Sequence, residues 1–201
     1  MPVNAQKPHI YVDLDRTLFD TDRAGLALKV AAQELYGLDA QQLAREESRF
    51  YVHVGNQYFY RFFDHLAARD VEPAKAAGEL LEVLKGQDFL YPDAHEFVAH
   101  LRLNGYNSSI LSFGDPAYQG FKYRLAPALA NLPFICVDTP KGEYVRKHGQ
   151  ADSVIIDDKH VGAVPDACRA IQLMRGHHQP VSRADGRYII NDLRLAKGLI
   201  T

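Results

Sequence analysis

Apolar positions along the chain gather into short, nearly unbroken runs, separated by longer stretches in which apolar and polar residues mix. Five runs, at residues 9–13, 108–112, 134–138, 153–157 and 171–174, are too short for helices, and they read as strands buried on both faces. Between them lie segments with helix punctuation: residues 92–104 start at Pro92 and stop at Gly105, and residues 141–148 stop at Gly149. Strand alternating with helix predicts an α/β fold with a parallel sheet. In such a sheet the ligand sits beyond the carboxyl ends of the strands, where strand order reverses. Polar residues that end strands are therefore the candidates for chemistry.

Residues 21–87 break the alternation, since they hold no buried strand run, and they read as a helical insertion of three or four helices. Thr21 or Asp22 caps a first helix ending near Gly37, Asp39 caps a second, and Pro73 suits the first turn of another that stops at Gly86. The expected organisation is a core domain from residues 1–20 and 88–201 with a small helical cap at 21–87. An aromatic cluster stands out in the insertion: Phe50, Tyr51, Tyr58, Phe59, Tyr60, Phe62 and Phe63. Spacings of three and four residues fit the packed stripe of a helix, with contacts to a substrate as the other reading.

Composition narrows the function classes. The 201 residues are 47% hydrophobic and 24% charged, with a formal net charge of −2, as for an ordinary globular protein with no basic field to attract nucleic acid. No apolar run approaches the roughly 18 residues of a spanning helix, and the first eight residues lack the basic and apolar regions of a signal peptide. A cytoplasmic protein without membrane or nucleic-acid partners is expected. Cys136 and Cys168 lack redox or zinc spacing and read as core thiols. The pair His177-His178 lies beyond the last predicted strand and reads as a solvated loop, and His160 as a solvent-facing residue at a helix start.

Two acids, Asp13 and Asp15, stand one residue apart just after the first strand, and Asp157-Asp158 end the fourth. Like charges at that spacing repel and resist desolvation, so a cation or a strong donor set is expected to join them. If the two strands are neighbours, four carboxylates converge on one edge. Oxygen-only ligands favour a hard divalent ion, and Mg²⁺ is held by one or two carboxylates together with substrate phosphate.

Asp13-x-Asp15-x-Thr17-Leu18 resembles the first motif of the haloacid dehalogenase-like (HAD) superfamily. Ile110-Leu111-Ser112 is similar to its second motif, Asp157-Asp158 to its fourth, and Lys141, opening a helix after the third strand, to its third-motif lysine, with Lys122 as the alternative. An insertion after the first motif resembles the family's cap, and residues 90–94 resemble the return into a Rossmann-like core. The resemblance implies a phosphatase. Asp13 is then the nucleophile that forms an aspartyl phosphate, and Asp15 the general acid and base; members that cleave carbon–halogen bonds lack an acid at that place. It also implies Mg²⁺ held by the Asp13 carboxylate, the Asp15 carbonyl and the acidic pair, Asp158 above Asp157 from the register of the pair to Gly162. Ser112, the amides of Phe113 and Gly114, and Lys141 would hold the phosphate, and Thr17 would order the loop after Asp15. Arg16 and Phe113 depart from the residues common at their places and reshape the phosphate loop. The substrate implied is a small phosphorylated metabolite; a phosphotransferase or mutase uses the same residues, and a non-catalytic phosphate-binding protein is the reading from another class.

Overall fold

A computed structural model describes residues 7–150, 152–161, 164–165, 167–184 and 187–200. The chain runs β1 (Ile10–Val12), α1 (Thr21–Tyr36), α2 (Ala40–Glu46), β2 (Tyr51–Val54), β3 (Gln57–Tyr60), α3 (Phe62–Ala67), α4 (Pro73–Val83), α5 (Pro92–Leu103), β4 (Ser108–Phe113), α6 (Pro116–Arg124), β5 (Phe134–Val137), α7 (Lys141–His148), β6 (Val154–Asp157), β7 (Arg169–Leu173), β8 (Val181–Ala184) and β9 (Arg187–Ile190). Seven strands form one sheet in the order β5-β4-β1-β6-β7-β9-β8, parallel except for β8, which pairs antiparallel with β9.

All five predicted strands are present; β1, β4 and β6 are buried almost throughout, whereas β5, at the sheet edge, is part-buried. In β1, Ile10 and Val12 face one apolar layer with Ile110, Ile156 and the α5 residues Phe97 and Leu101, whereas Tyr11 faces the other with Leu111, Ile155 and Val145 of α7. Alternate residues on a strand point to opposite faces, so helices on both sides require an unbroken apolar run. β1 is the hinge of the topology, because the chain first builds β4 and β5 on one side of it and then β6 to β9 on the other. Val12 is level with Ile110 and with Ile156. Asp13, Ser112 and Asp157 consequently leave the sheet at the same edge.

Helix ends follow the expected chemistry with small shifts. Asp20, one residue before the expected caps, accepts the Arg23 amide at the start of α1, and Gly37 closes that helix at φ 68. Asp39 caps α2, and Pro73 opens α4 behind Glu72.

The insertion is not purely helical. Residues 51–60, read as part of a helical stripe, form the β2–β3 hairpin, with Tyr51 opposite Tyr60 and His53 opposite Tyr58. Gly55, at φ 57, makes the two-residue turn with Asn56. Aromatic and β-branched residues suit a pleated, half-buried ribbon; of the cluster only Phe62 and Phe63 belong to an α-helix, and Phe50 ends a 3-10 turn. The sheet also extends past the fifth predicted strand through β8 and β9, so the loop carrying His177 and His178 lies between strands rather than beyond the last one. Gly162 is outside the described residues.

The corrected assignment separates two aromatics that a single helical stripe would treat alike. Phe62 is 1% exposed and packs on Phe63 and Tyr118 with ring centroids 5.3 Å apart in each case, whereas Tyr58 on the hairpin is 50% exposed. Phe62→Ala is expected to cost about 3 to 5 kcal/mol and Tyr58→Ala about 0.5 kcal/mol or less. Urea unfolding of the two variants measures the contrast, and equal losses would restore the single stripe.

Candidate active site

Asp13 follows β1 directly and is 4% exposed. One carboxylate oxygen, Oδ1, accepts from the Lys141 ammonium, which also donates to Asp157 Oδ2 at 2.7 Å. The other, Oδ2, is buried with no partner. Carboxylate oxygens of Asp13, Asp157 and Asp158 lie within 4.8 Å of one another, and this is the one such cluster among the described residues; no histidine or cysteine enters it. Burial pushes the Asp13 carboxyl up, Lys141 pulls it down, and the charges of Asp157, Asp158 and Asp15 push it up again. Burial and Asp157 likewise raise Asp158. Burial opposes the charge on Lys141, but Asp13 and Asp157 outweigh it and hold the lysine protonated above its usual range. One buried cation thus serves two carboxylates in a site that has three.

Asp15 has a different environment. Its Oδ1 accepts from Lys122 Nζ at 2.5 Å and Thr21 Oγ1 at 2.7 Å, and its Oδ2 from Lys122 Nζ at 2.7 Å and Gln119 Nε2 at 2.8 Å. Burial alone would raise this carboxyl, but the Lys122 charge and the donated hydrogen bonds override it and hold it at about 2. Both candidate lysines are therefore in the site with separate partners, Lys141 on Asp13 and Lys122 on Asp15. The role of Lys122 as the counter-ion of Asp15 was missed in the sequence. It sits one helical turn after Gln119 on α6, a helix whose start, Asp115-Pro116, carries a legible cap and first-turn signal.

Ser112 ends the buried part of β4, fully enclosed, with its hydroxyl unpartnered. The expectation that the Gly114 amide binds phosphate is not met: that N–H donates to Val137 O at 3.0 Å and extends the sheet pairing. Gly114 is needed for another reason. At φ 154 a Cβ there would lie 2.5 Å from Gln119 Nε2, the group that holds Asp15. Thr17 does not order the loop through its hydroxyl, which is buried and unpartnered. The loop is braced instead by Arg175, which donates to Thr17 O at 2.9 Å, to both oxygens of Asp93 at 2.9 and 3.0 Å, and lies 3.8 Å from the Tyr91 ring centroid. Arg16 takes the left-handed conformation at φ 59 and points its side chain to Asp22 at 2.8 Å.

Above these groups opens a cleft of about 360 Å³, walled on the far side by the β2–β3 hairpin and on the near side by Phe113, Tyr118, Lys159 and the exposed His160. Phe59 of the hairpin meets Phe113 edge-to-face at 5.5 Å, and Arg61 lies 3.8 Å from Asp115. Cys136 and Cys168 lie outside the cleft lining.

No protein-family model matches the chain, and no curated protein matches it in sequence. Solved structures match it in three dimensions over nearly its whole length. A haloacid dehalogenase-like hydrolase from Burkholderia xenovorans superposes with a TM-score of 0.64 at 16% identity, covering 97% of this chain and 95% of the other. The fold is that of the HAD-like hydrolases. HAD-hydrolase YfnB from Bacillus subtilis, bound to magnesium, gives 0.56 at 15% identity over 98% and 99% of the two chains. CbbY from Rhodobacter sphaeroides, in complex with phosphate, gives 0.55 at 15% over 95% and 96%. In this HAD-like fold the acidic cluster lies at the carboxyl edge of the sheet, beside the central strand. No helix among the described residues is long and apolar enough to cross a membrane.

The charge arithmetic of the cluster predicts opposite effects of two substitutions on stability. Lys141→Met strands Asp13 and Asp157 in the interior and is expected to cost about 3 to 5 kcal/mol in EDTA. Asp13→Asn keeps the Lys141–Asp157 pair and removes one of the crowded charges, so it should be at least as stable as the parent chain. Urea midpoints in EDTA decide the ranking.

Proposed function

We propose that the chain is a Mg²⁺-dependent phosphohydrolase of small phosphate monoesters that works through an aspartyl phosphate on Asp13. The observation that carries the reading is the unpartnered Oδ2 of Asp13, buried at a strand end whose other oxygen is fixed by Lys141. Such an oxygen costs free energy unless a ligand completes it. The magnesium bound to YfnB and the phosphate bound to CbbY support the same reading at the level of the fold.

The donor set fits a hard cation, with three carboxylates gathered within 4.8 Å and one buried lysine to balance them. Asp13, Asp158 and the main-chain carbonyl of Asp15 would hold Mg²⁺, with Asp157 assisting. When bound, the ion supplies charge neutralisation between the phosphate and the attacking carboxylate. Asp157 is the weaker candidate because its two oxygens already accept from Lys141 and from the Lys159 amide, at 2.7 and 2.8 Å.

Asp13 Oδ2 attacks phosphorus, and the bond from phosphorus to the ester oxygen breaks. The departing oxygen takes a proton from Asp15, and in the second half Asp15 takes a proton from the water that attacks the aspartyl phosphate. Asp15 as held here, with donors on both oxygens, is a carboxylate. It must part from Lys122 or Gln119 to carry the proton, so α6 governs when it is available. Ser112 donates its hydroxyl to a phosphate oxygen, and Lys141 offsets the charge that develops on the transferring group. Phe113 remains a candidate donor through its amide. In the cytoplasm the substrate would be a small phosphorylated metabolite.

Phosphate release from a panel of monoesters with Mg²⁺ and no added acceptor is expected, which separates a hydrolase from a phosphotransferase. Asp13→Asn should remove this activity, and Asp15→Asn should lower it by roughly 10²- to 10⁴-fold. Near-normal turnover by folded Asp13→Asn would end the proposal.

EDTA should abolish activity and Mg²⁺ restore it. Asp158→Ala should weaken Mg²⁺ binding in a calorimetric titration more than Asp157→Ala does, and the reverse order would exchange their roles.

A further inference from the structure

The cleft above the carboxylates has walls made of rings. Tyr51, Tyr58 and Tyr60 share one face of the hairpin, since Tyr51 pairs directly with Tyr60 and Tyr58 lies two residues before it. Tyr51 stacks on Tyr58 at 4.8 Å and meets Tyr60 edge-on at 5.9 Å. Phe59, Phe113 and Tyr118 line the cleft as well, together with polar residues such as Arg16, Gln57 and Lys159, and among the described residues the one aliphatic side chain that reaches it is Val161.

These rings are not a sealed core. Phe62 and Phe121 beneath them are at most 1% exposed, but Tyr58 is half exposed, and Tyr51, Phe59, Tyr60 and Phe113 are part-buried. Apolar surface left open in a cleft beside catalytic groups marks ligand contact. Polar groups stand among the same walls. Lys29 pairs with Glu47 at 2.6 Å, and Glu47 also accepts from the Tyr51 hydroxyl at 2.9 Å. A flat ring would offer its face to the tyrosines and its edge to the polar groups beside them, Lys29 and Glu47 among them.

We infer that the substrate is a phosphate monoester whose leaving group carries a planar aromatic or heteroaromatic ring, bound against the hairpin. The inference rests on the phosphohydrolase reading and specifies its substrate class. A ring attached next to the phosphate and a base at the far end of a sugar share this chemistry, and paired substrates tell them apart.

The test is phosphate release with Mg²⁺ from two pairs: benzyl phosphate against cyclohexylmethyl phosphate, and uridine 5′-monophosphate against ribose 5-phosphate. Each pair differs in the flat ring, and the first keeps size and leaving-group type. The expected result is a kcat/KM preference of about tenfold or more for the ring-bearing member of at least one pair, the selectivity one stacking contact supplies. Which pair shows it identifies the source of the ring. Tyr58→Leu and Phe59→Leu, checked for folding by thermal unfolding, should reduce that preference while the ringless substrates change less. Equal turnover within both pairs overturns the inference and leaves the hydrolase reading standing. Absence of release from all four overturns the hydrolase reading and this inference with it. A preference retained in full by both variants overturns the assignment of the ring to the hairpin.

Discussion

Three carboxylates and one ammonium, packed at the carboxyl edge of the central strand, set the terms for the surrounding architecture. Asp13 and Asp157 are almost fully enclosed, and Lys141 alone neutralises both. Such an arrangement is stable only if the strands that present the two acids are adjacent and in fixed register, because a one-residue slip would turn a carboxylate into the apolar layer. The parallel pairing of β1 with β6, Val12 level with Ile156, meets that need, and the apolar residues on both faces of β1 hold it. The oxygen of Asp13 left without a partner is a cost that the fold carries at this edge.

The same constraint explains the division between what could be read and what could not. Strands covered on both faces are continuous apolar runs, as in β1, β4 and β6, and the part-buried β5 and β7 keep enough of that pattern to be legible; acids ending β1 and β6 mark the candidate site in the sequence. The hairpin was hidden because its aromatics fit two periods at once: Tyr58 and Phe62 are four apart, as on a helix, while Tyr58 and Tyr60 are two apart, as on one face of a strand. The Gly55-Asn56 turn was the signal that favoured the strand. β8 and β9 were missed because each carries too short an apolar run to stand out: Ser182 and Arg183 interrupt β8, and β9 has only Ile189 and Ile190 after Arg187 and Tyr188. The pairing of Lys122 with Asp15 was not legible, since a lysine on a helix with mixed polarity is normally solvated, and this one is 2% exposed, met by Asp15 from another element.

The loop between β1 and α1 shows how the two acids of the first motif are kept in distinct states. Arg16 sits in a left-handed conformation between Asp15 and Thr17, which turns the chain sharply after Asp15. Backbone bonds from Leu18 and Phe19 to Leu14 O close the turn, and Arg175, anchored on Asp93 at the start of α5, secures the Thr17 carbonyl from behind. Asp13 is thereby left facing Lys141 and Asp15 facing Lys122. Two carboxylates two residues apart come to have opposite shifts, Asp13 upward from burial and like charge, Asp15 down to about 2 from its donors. Groups pushed apart in this way are suited to different tasks.

The hairpin lies across the cleft from those groups and touches the core through Phe59 on Phe113 and Arg61 near Asp115, the residues that follow Ser112 at the end of β4. Asp115 also caps α6, the helix that carries Gln119 and Lys122 to Asp15. One short segment, 112–122, therefore connects the wall of the cleft, the unpartnered Ser112 hydroxyl and the donors that keep Asp15 ionised. Under the proposed mechanism, in which Asp15 carries a proton, a ligand that displaced Phe59 from Phe113 would bear on the same segment that holds Asp15, without touching Asp15 itself.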